Sequence, residues 1–106
     1  MDTLFKTRFT IKMLLIFFSL LESNYSQVSG FVRDQITLSP VPDVLVTLQT
    51  TSIKTTTATD GSFLLNNAIG EDLVIVSAKK GYYNNSVTVN SPASNVEILI
   101  ESVPQD

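Results

Sequence analysis

The side chains that could do chemistry in this chain are carboxylates, hydroxyls and a few lysines, because its 106 residues include no His and no Cys. Nucleophilic catalysis by a Ser needs a neighbouring base that accepts its proton. No Lys or carboxylate stands in a sequence context typical of that role. The sequence therefore predicts that the protein is not an enzyme, has no catalytic residues and takes no cofactor.

Two groups of carboxylates were candidates for binding or acid–base chemistry. Asp34, Asp43 and Asp60 stand near predicted turns, where loop carboxylates can bind Ca²⁺. They lack an interleaved pattern of oxygen ligands, so turn capping is the favoured interpretation and no metal site is predicted.

Glu97 and Glu101 share one side of a predicted strand, with their backbones roughly 13 Å apart. Glycosidase carboxylates lie roughly 5 to 9.5 Å apart, so we expect a solvated strand face.

The first 26 residues differ from the rest in composition. The bases Lys6, Arg8 and Lys12 precede an apolar run over residues 13–21, in which Ser19 is the one polar residue, and a polar stretch follows it. This three-part layout is typical of a secretory signal peptide. The apolar run is much shorter than the roughly 18 to 20 residues that cross a bilayer as a helix. The alternative is an uncleaved or buried hydrophobic helix.

We predict a signal peptide over residues 1–26, cleaved between Ser26 and Gln27, because Ser26 is small enough to precede a cleavage site. The mature chain is then exported, has no transmembrane segment, and is periplasmic, outer-membrane-associated or secreted. Its four bases and eight acids give a net charge of −4. This excess of negative charge argues against nucleic acid or an anionic membrane as a partner.

The mature chain is rich in β-branched residues, since Val, Ile and Thr occupy 26 of its 80 positions. Stiff branched side chains favour strands over helices. Gly, Pro and Asp divide the chain into seven short predicted strands, at residues 28–33, 44–48, 54–59, 62–65, 73–78, 83–89 and 96–101. Turns at this spacing are typical of an antiparallel sandwich of two sheets.

The hydropathy of these strands predicts their places in the sheets. Residues 54–59 are polar on both faces, which favours a short edge strand, and Asp60-Gly61 is a tight turn leading to a hairpin partner at residues 62–65. Residues 73–78 are almost continuously apolar, which predicts a central strand covered on both faces.

Alternation predicts which side chains face the core. Two strands present alternating apolar residues on one face, Val44, Val46 and Leu48 in the first and Val96, Ile98 and Ile100 in the second. Tyr82 and Tyr83 are adjacent, so one ring should face the core and the other should be exposed.

Four segments, in order, resemble the carboxypeptidase regulatory-like domain family. They are VSGFVRD at residues 28–34, PDVLVTL at 42–48, TATDGSF at 57–63 and VSAKKGY at 76–82. The resemblance implies a seven-stranded antiparallel Greek-key β-sandwich of the transthyretin-like fold over residues 27–101, followed by a tail over residues 102–106. The turn and core motif that it implies comprises Gly30, Asp60, Gly61, Phe63, Gly81 and Tyr82. In that motif, Gly30 permits close backbone approach, and Tyr82 covers the edge of the core.

The resemblance implies a role without chemistry. Such domains look like accessory modules of metallocarboxypeptidases, N-terminal domains of TonB-dependent outer-membrane transporters, or free-standing exported bacterial proteins. The passage from the leader into Gln27 is similar to the start of such transporters in Bacteroidota. We therefore expect a non-catalytic module with a structural or protein-interaction role, whose protein partner docks on a sheet face or adds a strand at residues 54–59. The alternatives are a truncated N-terminal domain of a transporter, or an accessory domain that assists a carboxypeptidase in trans.

Overall fold

Seven β-strands form two packed sheets in the computed structural model, which describes residues 26–104. The strands are β1 (Gln27–Asp34), β2 (Leu45–Leu48), β3 (Lys54–Thr56), β4 (Ser62–Asn66), β5 (Leu73–Ala78), β6 (Asn85–Val89) and β7 (Ala93–Ile100). Within residues 26–104 there is no helix long and apolar enough to span a membrane. The predicted signal peptide lies outside the described residues, apart from Ser26.

The two sheets have the strand orders β4-β1-β7 and β3-β2-β5-β6. Because side chains alternate along a strand, each sheet turns one apolar face toward the other. The core between them comprises Val28, Val32, Val41, Val44, Val46, Leu48, Phe63, Leu65, Ala68, Ile75, Ile98 and Ile100. The alternation predicted for residues 44–48 is confirmed, and so is that for 96–101, where Ile98 and Ile100 are buried and Val96 packs against the core.

The pairing of β1 with β7 contradicts the predicted antiparallel arrangement. β1 and β7 are parallel, with Val32 opposite Ile98, whereas the other strand pairs are antiparallel. The prediction of a wholly antiparallel sandwich was therefore wrong at this pair. Alternation along a strand reports which face is buried but not in which direction its neighbour runs, so the sequence pattern carried no signal for this pairing.

The predicted hairpin around Asp60-Gly61 was also wrong. β3 pairs with β2 and β4 pairs with β1, so this turn carries the chain from one sheet to the other. Thr57, predicted to lie in a strand that is polar on both faces, is buried. Its hydroxyl donates to the carbonyl of Val41 (2.7 Å) and accepts from the amide of Val44 (2.9 Å). The prediction of a short edge strand is confirmed in position, since β3 is the first strand of its sheet.

β5 lies centrally between β2 and β6, as predicted, but only one of its faces is covered within the described residues. Ile75 and Ser77 are buried, whereas Val74 and Val76 on the outer face are partly exposed. The expectation of cover on both faces was wrong because a continuous apolar run describes the strand's composition and not its neighbours.

Candidate protein-interaction surface

The loop after β1 is organised by the carboxylate of Asp34. Its Oδ1 accepts hydrogen bonds from the backbone amides of Ile36 (2.9 Å) and Thr37 (3.0 Å). The amide of Asp34 donates to the carbonyl of Ser39 (2.9 Å), and its carbonyl accepts from the amide of Leu38 (2.9 Å). An Asp that binds the amides following it is a recurrent way to build a tight turn. The polar groups of this loop are thus satisfied locally.

The same loop directs two aliphatic side chains into solvent. Ile36 is 77% exposed and Leu38 is 59% exposed. Leu38 has a φ of 62°, a left-handed conformation that is uncommon for a bulky residue. Because such a conformation persists only where its surroundings enforce it, the hydrogen bonds of the loop fix the backbone at Leu38 and leave both side chains exposed.

Tyr82 connects this loop to the segment after β5. Its hydroxyl donates to Asp34 Oδ2 (3.4 Å), and its ring packs against the edge of the core. Gly81 before it has a φ of 92°, which reverses the chain. The neighbouring Tyr83 is 51% exposed. The predicted division of the two tyrosines, one toward the core and one outward, is confirmed.

The chain after β7 completes this end of the sandwich. The amide of Tyr83 donates to the carbonyl of Glu101 (2.9 Å), and the amide of Val103 donates to the carbonyl of Gly81 (2.8 Å). These bonds bring Val103, which is 38% exposed, to the same end as Tyr83.

We call Ile36, Leu38, Tyr83 and Val103, with Asp34 and Tyr82 beneath them, the Asp34 surface. Seven large apolar side chains are exposed among the described residues, and four of them belong to this surface. Of the other three, Leu45 lies on the four-stranded sheet opposite Ala78, Leu64 lies on the three-stranded sheet, and Ile69 lies at the opposite end. Single apolar residues are normal on a protein surface, so the presence of four at one end is what distinguishes this end of the sandwich.

The local hydrogen bonds and burial shift the pKa values of Asp34 and Tyr82. The amide of Thr37 and then that of Ile36 hold the pKa of the Asp34 carboxyl below its ordinary value, and the Tyr82 hydroxyl adds to this effect. Burial, followed by the negative charge of Asp34, raises the pKa of the Tyr82 phenol. At neutral pH the carboxylate is therefore ionised and the phenol protonated, so Tyr82 donates and Asp34 accepts the hydrogen bond between them.

The predicted turn and core motif is spread through the fold and forms no single site. A Cβ on Gly30 would lie 1.9 Å from the carbonyl oxygen of Val96, so the backbones of β1 and β7 approach closely there. Gly61 has a φ of 80°, and Phe63 is buried in the core. Gly81 and Tyr82 belong to the Asp34 end, and Gly61 lies near the same end, where its carbonyl accepts from the amide of Val32 (2.8 Å).

The carboxylates considered for metal binding occupy separate positions. Asp60 Oδ1 accepts from the hydroxyl (2.6 Å) and the amide (3.0 Å) of Ser62, and these bonds lower the pKa of Asp60. Asp43 is exposed, with a φ of 60°. Within residues 26–104, no cluster of three or more His, Cys, Asp or Glu residues could hold a metal ion.

The charged pair of the three-stranded sheet lies on its outer face. Glu97 Oε1 lies 3.6 Å from Arg33 Nη1, and the guanidinium of Arg33 lies 5.5 Å from the centre of the Phe31 ring. Glu97 thus contacts a base on the neighbouring strand and does not pair with a second carboxylate.

Sequence reasoning missed Ile36 and Leu38, the most exposed members of the Asp34 surface. They lie between Asp34 and Pro40 and alternate with polar residues, as strand residues do. The usable signal was Asp34 itself, because an Asp followed by residues free to donate their amides favours a turn at that point.

Comparison with known proteins gives a fold likeness and no family. The sequence matches no protein-family profile, and no curated protein matches it significantly. Two solved structures of mutant type II cohesin–X-dockerin complexes from Acetivibrio cellulolyticus contain similar chains. One aligns with a TM-score of 0.62 at 14% identity over 73% of this chain and 58% of that one. The other has a TM-score of 0.57 at 16% identity over 71% of this chain and 56% of that one.

This chain therefore spans less than two thirds of the length of those neighbours. At such low identity the likeness shows a shared β-sandwich fold.

Proposed function

We propose that this chain is an exported, non-catalytic β-sandwich module that binds a protein partner through the Asp34 surface. The observation that carries this proposal is the gathering of Ile36, Leu38, Tyr83 and Val103 at one end, where hydrogen bonds to Asp34 fix the loop. The same proposal includes membership of the carboxypeptidase regulatory-like family, Greek-key connectivity, and a periplasmic, outer-membrane-associated or secreted location.

The chemistry of the Asp34 surface favours a protein as the partner. Protein interfaces combine an apolar centre, often with Tyr, and a polar rim whose residues contribute little to the binding free energy. Tyr83 and the two aliphatic side chains supply such a centre, and Lys80 and Glu101 supply polar neighbours. Loops on a rigid scaffold commonly carry binding residues. The two structural neighbours come from complexes of protein modules, which agrees with an interaction role for the fold.

A double substitution at the Asp34 surface tests this proposal. Ile36→Ser with Leu38→Asn removes both aliphatic side chains, and Asn tolerates the left-handed conformation at position 38. In affinity capture from the native host, we expect the partner's binding to fall at least about tenfold, as for interface residues at the centre of a contact. Leu64→Ser, on the outer face of the three-stranded sheet, is the matched control and should leave capture unchanged. Equal capture by both variants would reject the Asp34 surface.

Strand addition at β3 is a second candidate mode. The amides and carbonyls of Thr55 and Thr57 face β2, since Thr55 is opposite Val46 and the amide of Thr57 donates to Val44 (3.0 Å). Those of Lys54 and Thr56 therefore point to the open edge of the sheet. A partner strand could add there, although β3 provides only these two outward-facing residues.

Proline substitutions separate strand addition from docking at the Asp34 surface. Thr56→Pro removes an outward amide and leaves the β2–β3 ladder intact, so partner capture should fall while the melting temperature changes little. Thr55→Pro removes a ladder amide and should destabilise the sheet. Undiminished capture by Thr56→Pro would reject strand addition at this edge.

The two longer-protein alternatives need genomic observations. A truncated transporter domain predicts a plug and barrel encoded downstream of codon 106. An accessory domain that acts in trans predicts a metallocarboxypeptidase gene nearby. Reading the surrounding DNA decides between these alternatives and a free-standing module.

A further inference from the structure

The sandwich has two ends and two long sides. The Asp34 surface lies at one end. At the other, the cleft end, the β2–β3 and β4–β5 loops surround a cleft of about 270 Å³ lined by residues such as Leu48, Ile69 and Leu73. Along the sides, the outermost strands of the two sheets lie next to each other, β3 beside β4 and β6 beside β7. Each side therefore presents two strand edges, whose outward amides and carbonyls have no partner in their own sheet.

The register of β5 and β6 determines which backbone groups of β6 point outward. The amide of Gln49 donates to the carbonyl of Val74 (2.9 Å), so every second residue of β5, counted from Val74, bonds to β2 and the residues between them bond to β6. Those residues lie opposite the odd-numbered residues of β6. The amides and carbonyls of Ser86 and Thr88 therefore point away from the sheet.

The side chain of Asn85 bonds to the edges of both sheets. Its Oδ1 accepts from the outward amide of Ser86 (2.9 Å), and its Nδ2 donates to the carbonyl of Leu99 in β7 (2.7 Å). The amide of Gln35 donates to the carbonyl of Ile100 (2.8 Å), so Ile100 bonds toward β1 and the neighbouring Leu99 points outward. One side chain thus caps an edge donor of one sheet and an edge acceptor of the other.

This cap removes half of the outward donors of β6. The strand has five residues, and only Ser86 and Thr88 direct their amides to the open side. Since the Ser86 amide donates to Asn85, Thr88 carries the one outward amide of β6 that no group in residues 26–104 accepts. A strand that adds to a sheet edge bonds to such groups, so an incoming strand would find half of the donors occupied.

The composition of β6 makes the cap important. Exposed edge strands are commonly protected by a charged side chain or a Pro. β3 contains Lys54 and β7 contains Glu97, whereas β6, with the sequence NSVTV, contains neither a charge nor a Pro. Its Val and Thr residues favour strand pairing. Among the features of β6, the Asn85 side chain is therefore the one that obstructs its edge.

We propose that Asn85 keeps this side of the sandwich closed to strand addition, and that without the cap β6 pairs with β6 of a second copy. This role is separate from the proposed function, since it concerns neither the Asp34 surface nor the edge of β3. It is a protective device that keeps the unmodified chain from associating through β6.

A second copy is the occupant because two β6 strands fit each other. Antiparallel pairing about a two-fold axis at Val87 places Ser86 of each copy opposite Thr88 of the other. All of these residues direct their amides and carbonyls outward, so each copy donates two hydrogen bonds and accepts two. In the unmodified protein both Ser86 amides already donate to Asn85, so two of the four bonds cannot form while the caps are in place.

Amide hydrogen exchange of the full chain, followed residue by residue by NMR, tests the cap in the unmodified protein. Ser86 and Thr88 point the same way from one strand, so they form an internal comparison. After correction for their rates in an unfolded chain, we expect the Ser86 amide to exchange about two- to tenfold more slowly than that of Thr88, as one hydrogen bond provides. Equal protection of the two amides would overturn the inference, whatever the variants do.

Asn85→Ala tests the consequence of removing the cap. In dilute solution the Ser86 amide should lose its protection. As the concentration rises, the weight-average mass in sedimentation equilibrium should increase from one chain to two and no further, because two-fold pairing uses each β6 once. The Thr88 amide should become protected at the same time, since it then donates to the second copy. The unmodified chain should show neither change at the same concentrations.

Three further variants make the test specific. Asn84→Ala, at the exposed position before β6, is the matched control and should behave like the unmodified protein. Asn85→Val removes both capping groups but favours strand structure, so it should associate even if Asn85→Ala is too unstable to measure. Asn85→Asp keeps an oxygen that accepts from Ser86 and loses the donor to Leu99, so Ser86 should stay protected and the chain monomeric.

Other results would overturn the inference. If Asn85→Ala and Asn85→Val remain monomeric, the edge stays closed without the cap. If their mass rises while Thr88 gains no protection, the association lies elsewhere on the molecule. If the unmodified chain, Asn84→Ala or Asn85→Asp gains the same protection of Thr88 with concentration, the bond from Ser86 to Asn85 does not block the edge.

Discussion

The two ends of the sandwich differ in what they present to a partner. At the Asp34 end, one carboxylate binds the loop amides, so the loop is compact and its aliphatic side chains point outward. At the cleft end, left-handed residues such as Thr50 and Asn67 turn two loops around a recess. Left-handed residues occur at both ends, since Leu38 has a φ of 62°, so the two ends differ in what their loops expose and not in whether the backbone turns sharply.

The largest expected effect comes from β1, which connects the two ends. In Gly30→Ala the new methyl group would lie 1.9 Å from the carbonyl oxygen of Val96. Because that oxygen belongs to the backbone of β7, no side-chain movement relieves the clash. We expect loss of more than about 4 kcal/mol in the free energy of unfolding, or no folding, as measured by urea denaturation.

Gly81→Ala is the matched control for that substitution. Gly81 has a φ of 92° and no atom within 4 Å of an added Cβ, so only the backbone conformation opposes the change. A cost of about 1 to 2 kcal/mol is expected. Equal losses from the two substitutions would contradict the close approach of β1 and β7.

The next effect concerns the buried hydroxyl at the Asp34 end. Thr57→Val keeps the shape of the side chain but leaves the carbonyl of Val41 and the amide of Val44 without the partner they have in the fold. The free energy of unfolding should fall by about 2 to 4 kcal/mol, since each buried unpaired group costs about 1 to 3 kcal/mol. Thr56→Val, at an exposed position, should change it by less than about 0.5 kcal/mol. Similar results for the two variants would reject the bridging role of Thr57.

At the cleft end, the first described residue has a measurable role. The carbonyl of Ser26 accepts from the amide of Ala68, which is fully buried. A chain beginning at Gln27 should therefore be less stable than one beginning at Ser26, by roughly 1 to 2 kcal/mol. Thermal unfolding of the two chains measures this difference. Identical melting temperatures would show that the bond is dispensable.

The smallest effect is the acid dependence of the Asp34 end. Hydrogen bonds lower the pKa of Asp34 in the folded protein relative to the ordinary value of 3.8. The unfolded chain therefore binds this proton more readily, so the stabilisation is present above the unfolded pKa and is lost as the pH falls through the lower folded pKa. Asp34→Asn should lose less stability than the unmodified protein on acidification below about pH 4. Parallel stability profiles, measured by urea denaturation at several pH values, would contradict the hydrogen-bonded role of Asp34.

Local patterns predicted much of the fold. The alternation of Val44, Val46 and Leu48 identified the buried face of β2 because side chains of a strand alternate between its faces. Gly61 was identified as a turn residue because a left-handed conformation favours glycine. These features depend on residues close together in the chain.

The rest depends on contacts between distant residues. The sequence around Asp60-Gly61 is the same whether the turn closes a hairpin or crosses between sheets, and the buried bonds of Thr57 to Val41 and Val44 accompany the crossing. The parallel pairing of β1 and β7 likewise joins strands from opposite ends of the chain. The Asp34 surface was missed because its exposure depends on how the loop folds, and alternation alone made Ile36 and Leu38 similar to strand residues.

A photo-crosslinking scan in the native host tests the central claim most directly, with benzoylphenylalanine placed in turn at each exposed apolar surface of the sandwich. The four positions are Ile36, Leu45, Leu64 and Ile69. The account predicts a covalent adduct with the partner from position 36 and none from positions 45, 64 and 69. An adduct that forms only from position 45 or 64 would place the interaction on a sheet face and contradict the account.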